Sequence, residues 1–138
     1  MSQDGPFVVG DNVFKFLVVQ EVRKALRLQY IFSVITVVAE CSGEMPGYRP
    51  ASAEALVAPI TRVVRSADVI GFSAGQQALR VLLIGADLEA SDTVIARIQG
   101  ELPPELRVRF GIACFPATAT TPEEILSRAD ADAGLTVR

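Results

Sequence analysis

Three features of the sequence predict an α+β fold: a ferredoxin-like βαββαβ core, with a central antiparallel or mixed sheet and flanking helices. The first is a nearly continuous β-branched run, Ile31 to Ala39, long enough for one central strand. The second is a pair of short apolar runs, Val69–Phe72 and Leu79–Ile84, separated by a small polar turn. The third is the alternation of such runs with helix-period segments, in the order α-β-α-β-β-α-β-α. Its middle is the split βαβ pattern.

The first helix is expected from about Asn12 to Leu28, capped by Asp11. Phe14, Leu17, Val18, Val22 and Leu26 form its apolar stripe, and Arg23, Lys24 and Arg27 crowd its last turns. After the central strand, Ser42 to Pro50 reads as a loop from its glycines and prolines. Ser52 to Arg65 reads as a helix with Leu56, Ile60 and Val63 inward, and Pro59 kinks it or marks its true start. The two hairpin strands follow. A helix from about Ser91 to Gly100 buries Val94, Ile95 and Ile98, and Pro103-Pro104 closes that region. Arg107 to Phe115 is the last strand. Thr121-Pro-Glu-Glu124 is a helix start in which Thr caps, Pro takes the first helical position and Glu reaches back to the cap. Gly134 ends that helix.

Composition narrows the function. The 138 residues suit a single domain, 1–138, and half of them are hydrophobic. No apolar run approaches the roughly 20 residues of a membrane span. The first residues lack the pattern of a secretory signal. The expectation is a cytoplasmic protein without a membrane partner. The net charge of −3 argues against a nucleic-acid partner. There is no histidine, which removes the commonest general base and metal ligand. Cys41 and Cys114 stand at the ends of different strands, too far apart for a disulfide, and are expected as buried thiols.

Six segments in order carry a family resemblance. They are the entry helix "FKFLVVQEVRKALR", the strand "FSVITVVAE", the stretch "VVRSADVI", the segment "VLLIGADLEASDTVIARIQGEL", the strand "VRFGIACFP" and the helix "TPEEILSRADAD". From about Phe14 to Ala133 the chain resembles the GGDEF (diguanylate cyclase) family of bacterial signalling domains. Members often sit behind sensor or receiver domains. No such domain is recognisable in these 138 residues, which are read as free-standing or as a piece of a longer regulator.

The resemblance implies a site whose chemistry this sequence has lost. In the family, carboxylates at the end of the first core strand and in the GGDEF turn hold the cations needed to join two GTP molecules into cyclic di-GMP. Here Val38 stands at the leading aspartate, and Glu40 is a weak relic of the pair. The turn reads Gly75-Gln76-Gln77-Ala78-Leu79, or one residue earlier if registered on the glycines, and neither register contains a carboxylate. An amide is a poor Mg²⁺ ligand. The family's late lysine is missing from "ADADAGLTVR". The expectation is therefore a catalytically inactive domain with no catalytic residue, no metal and no cofactor. Enzyme activity is the least favoured of three functions.

The first of the other two is nucleotide binding without turnover, of cyclic di-GMP at Arg65 and Asp68 or of GTP in the relic site. Arg65 and Asp68 match the family's inhibitory-site Arg-x-x-Asp, where the arginine pairs with a phosphate or guanine edge and the aspartate accepts from guanine. The competing reading is a surface ion pair at a helix end. The second is a protein-interaction module, either a homodimer or docked on another signalling protein. The positive mean hydropathy of +0.36 favours it. Glu123 and Glu124 read as capping residues, Asp130 and Asp132 as a solvated helix face, and Tyr48-Arg49 as plain loop.

Overall fold

The computed structural model describes residues 7–41, 53–104 and 106–135; the expected loop at 42–50, with Tyr48 and Arg49, lies outside them. The chain order is β1 (Phe7–Val9), α1 (Asp11–Leu28), β2 (Phe32–Cys41), a 3₁₀ turn (Ala53–Leu56), α2 (Val57–Thr61), β3 (Val69–Phe72), β4 (Ala78–Ile84), α3 (Leu88–Glu101), β5 (Leu106–Phe115) and α4 (Pro122–Asp132).

The strands form one sheet in the order β1-β3-β4-β2-β5. β2 lies between β4 and β5 and is antiparallel to both. β3 and β4 form an antiparallel hairpin. The βαββαβ core is as expected. β1 was not: it adds a parallel edge strand to β3, with Phe7 opposite Val69 and Val9 opposite Gly71. Three residues between Pro6 and Gly10 give too short a signal, and their pairing partner lies some sixty positions away.

Two apolar layers flank the sheet. On one face α1 and α4 cover Phe32, Val34, Leu82 and Ala113 with Phe14, Val18, Ile125 and Ala129. On the other, Leu56, Ile60 and Ile98 cover Ile35, Ile70, Val81 and Leu83. β2 contributes alternate residues to both layers, which explains its unbroken apolar character.

The helix ends correct several expectations. Asp11 does not cap α1; Gly10 is the cap residue and offers no side-chain bond. Leu26 is exposed, and Ala25 takes its place in the core. The helix expected over Ser52–Arg65 is a 3₁₀ turn followed by five α-helical residues, with Pro59 in the first turn, where its missing N–H costs little. α3 begins three residues early because Asp87 caps it, its Oδ1 accepting from the Ala90 N–H at 2.8 Å. At α4, Thr121 Oγ1 accepts from the Glu124 N–H at 3.1 Å, as expected. Glu124 bonds back one residue further, accepting from the Thr120 N–H at 2.9 Å.

One glycine sets how closely α4 approaches the sheet. A side chain at Gly111 of β5 would collide with the backbone of Ala129 and Ala133. Cys114 is a buried free thiol, and the β2–β5 register places Cys114 and Cys41 at opposite ends of the ladder.

Candidate functional site

The hairpin tip is closed by one serine. The Ser73 N–H donates to the Ala78 carbonyl at 2.9 Å, and Ser73 Oγ accepts from the Ala78 N–H at 3.0 Å. Between them Ala74–Gln76 form a 3₁₀ turn in which Gly75 has φ of +74°, a conformation that favours glycine. Gln77 is exposed, and the side chains of Gln76 and Glu40 lie outside the described residues. Val38 of β2 is the Cα partner of Ala78 of β4. Both are buried, and they pack with Ala133 and Leu135 beyond the end of α4. An apolar cluster thus occupies the place where the resemblance puts the leading metal aspartate. Among the described residues, no group of three or more His, Cys, Asp or Glu is placed to hold a metal ion.

Arg65 and Asp68 lie at the other end of β4. They are brought together, but largely by bonds to the backbone. Asp68 is 1 % exposed. Its Oδ2 accepts from the Arg65 N–H at 3.0 Å and its Oδ1 from the Ile84 N–H at 3.3 Å. The Arg65 side chain is 70 % exposed, donates to the Ile84 carbonyl at 2.9 Å and lies 3.7 Å from Asp68. Asp68 therefore ties the turn before β3 to the end of β4, while Arg65 presents its guanidinium at the surface.

The charged cluster that the sequence reading missed is centred on Arg80. This residue sits in the apolar run of β4, on the α1/α4 face between Ala78 and Leu82. Its Nε donates to Asp130 Oδ1 at 3.1 Å and its Nη2 to Asp130 Oδ2 at 2.6 Å, a bidentate pair. Nη1 donates to Asp11 Oδ1 at 2.8 Å. Thr36 of β2 donates to Asp130 Oδ1 at 2.7 Å. Asp130 is thus no solvated helix residue: the side chains of Arg80 and Asp130 are only 6 % and 4 % exposed. Asp132 is exposed, as expected of it, but accepts from the Ile112 N–H on the edge of β5 at 3.0 Å.

Electrostatics follow this geometry. Burial alone would raise the Asp11 carboxyl, but hydrogen bonds and charge from Lys15 and Arg80 outweigh it and hold the group below its usual 3.8. Burial alone would lower the Arg80 guanidinium, but Asp130 and then Asp11 raise it above its ordinary value. The signal for this cluster was present in the sequence: a lone arginine in a central apolar strand requires a buried partner.

Arg80 and Asp130 floor a cavity of about 810 Å³ between α1, α4 and the hairpin tip. Val19 and Leu126 supply apolar wall, and Ser73 and Gln77 bring the hairpin to its edge.

Solved structures match this architecture. The GGDEF domain of YfiN (TpbB) from Pseudomonas aeruginosa has 19% sequence identity and a TM-score of 0.77, over 91% of this chain and 88% of that one. Diguanylate cyclase SiaD from Pseudomonas aeruginosa, solved with its activator SiaC, matches at 14% identity and a TM-score of 0.67, over 90% of this chain and 53% of that one. A microbial GGDEF domain described for a novel mode of interaction with cyclic di-GMP matches at 15% identity and a TM-score of 0.67, over 91% and 84%. No family model and no curated protein matches the sequence. The chain has the GGDEF-domain fold, a mixed five-stranded sheet flanked by helices, as its resemblance implied. No described helix is long and apolar enough to cross a membrane.

Proposed function

We propose that this chain is a GGDEF-fold signalling domain that does not synthesise cyclic di-GMP and acts by binding. The observation that supports this is the buried Val38–Ala78 pair, packed with Ala133 and Leu135 where a cyclase needs charged oxygen ligands. Incubation with GTP and Mg²⁺ is expected to yield no cyclic di-GMP. Turnover that disappears in Glu40→Ala would overturn this reading.

The ligand proposed is cyclic di-GMP, and the residue that meets it is Arg65. Its exposed guanidinium suits a phosphate or guanine edge. Asp68, with both oxygens bonded to backbone N–H groups, holds the turn that carries Arg65. Calorimetric titration is expected to give micromolar binding, about −8 kcal/mol, that is abolished in Arg65→Ala. Equal binding by Arg65→Ala refutes the site.

A second reading rests on a different observation. Phe7, Val8, Val13 and Phe16 are exposed on β1 and α1, the kind of apolar surface that marks interfaces. It predicts a homodimer or a complex with another signalling protein. No heat with cyclic di-GMP or GTP, together with a dimer in light scattering, would favour it; a monomer in light scattering counts against it.

A further inference from the structure

Arg80 has no role in the resemblance to cyclases, yet its side chain is held by three hydrogen bonds on the α1/α4 face. A guanidinium carries five N–H donors. Asp130 takes two and Asp11 one. Two donors remain on a buried cation that lines the 810 Å³ cavity. Each Arg80 nitrogen already has one partner, and the second N–H of Nη1 and of Nη2 is left for an incoming oxygen.

The charge around it selects the kind of oxygen. Arg80 and Lys15 face Asp11 and Asp130 through contacts of 3.1, 2.8 and 2.6 Å, and Glu123 also lines the cavity, so two cations stand against three carboxylates. A phosphate or carboxylate would add negative charge beside three carboxylates. A carbonyl oxygen accepts the same hydrogen bonds and adds none. The other walls include Val19, Leu126 and Leu135, and the volume falls within the roughly 300–1,000 Å³ of small-molecule sites.

We propose that this cavity binds an uncharged, largely apolar small molecule that presents a carbonyl oxygen to the guanidinium of Arg80. The site lies at the hairpin-tip end of β4, opposite the Arg65–Asp68 turn, and does not rest on the nucleotide reading.

Three probes of one ring system test it on the full chain: acetylnaphthalene, naphthoate and naphthalene itself. Backbone amide shifts in ¹H–¹⁵N spectra report the place of binding. Acetylnaphthalene is expected to move the amides of Ala74, Gln77, Leu126 and Leu135, and to bind about tenfold or more tightly than either other probe. Ser127 is exposed on α4 and also lines the cavity, so Ser127→Trp should fill it and abolish those shifts while the thermal transition is retained. The proposal is overturned if acetylnaphthalene leaves those amides in place. It is equally overturned if naphthoate binds as tightly, or if a folded Ser127→Trp binds unchanged. The probe series decides the matter even where the variant unfolds.

Discussion

Replacing Asp130 by alanine removes the carboxylate that holds Arg80. The pair is closed by bonds of 2.6 and 3.1 Å, and both side chains are more than nine-tenths buried. Breaking a buried pair from one side costs about 3–5 kcal/mol, because the remaining charge stays buried and uncompensated. Two features of the site adjust that figure. Asp11 still faces Arg80 at 2.8 Å, which pulls the cost towards the lower end. Thr36 loses its acceptor, which adds about 1 kcal/mol. The expected cost is therefore about 4 kcal/mol. At about 4 °C per kcal/mol for a domain of this size, the midpoint falls by roughly 16 °C. The assay is urea and thermal denaturation of Asp130→Ala, Arg80→Leu and the double variant. The double variant leaves no uncompensated charge between β4 and α4, since Asp11 keeps Lys15 at 3.1 Å. It is expected to be more stable than Asp130→Ala alone, with a coupling of about 2 kcal/mol or more. A loss below about 1 kcal/mol for Asp130→Ala would mean that the pair behaves as a solvated one. Strict additivity in the cycle would mean that the two side chains do not act on each other. Either result refutes the reasoning.

Three further perturbations follow from particular contacts. Gly111→Ala sets a methyl group against the backbone of Ala129 and Ala133; a loss of about 1–3 kcal/mol is expected in urea, and an unchanged midpoint would contradict the close approach of α4. The Asp11 carboxyl is held below 3.8 in the folded state, so its contribution is present above about pH 4 and lost as pH falls through the folded value. Asp11→Asn should therefore flatten the acid limb of the stability profile, measured by denaturation at successive pH values. Burial, then the hydrogen bond and charge of Glu21, push Tyr30 up to about 12. Its contribution is complete below pH 10 and lost as pH rises from 10 towards 12. The tyrosinate absorbance lost in Tyr30→Phe should be the late-titrating part; a loss centred near pH 10 would contradict the Glu21 contact.

The fold was legible wherever the signal is short-ranged. The cap at Thr121, the turn at Gly134 and the apolar period of α1 each depend on residues within a turn or two. The hairpin was equally readable, because the strands at Val69–Phe72 and Ala78–Ile84 are adjacent in the chain. The lack of carboxylates at Val38, Gln76 and Gln77 was legible too, since it is read from the residues themselves. Misreadings fell where a distant partner decides. Asp11 has the composition of a helix cap, but Arg80 and Lys15 engage its carboxylate. Leu26 fits the apolar period of α1, but among the described residues it is left exposed.

The sequence by itself determined the elements, their order and hence the α+β core, because periodicity and capping act between near neighbours. Only the tertiary structure decided that residues 11, 36, 80 and 130 meet, and that a cavity opens above them. Asp130 has the same local surroundings on α4 whether it faces water or an arginine. The sheet order, the β2–β4 register and the close packing of α4 on Gly111 turn it inward. A charge acquires its partner from topology, which no local window of sequence contains.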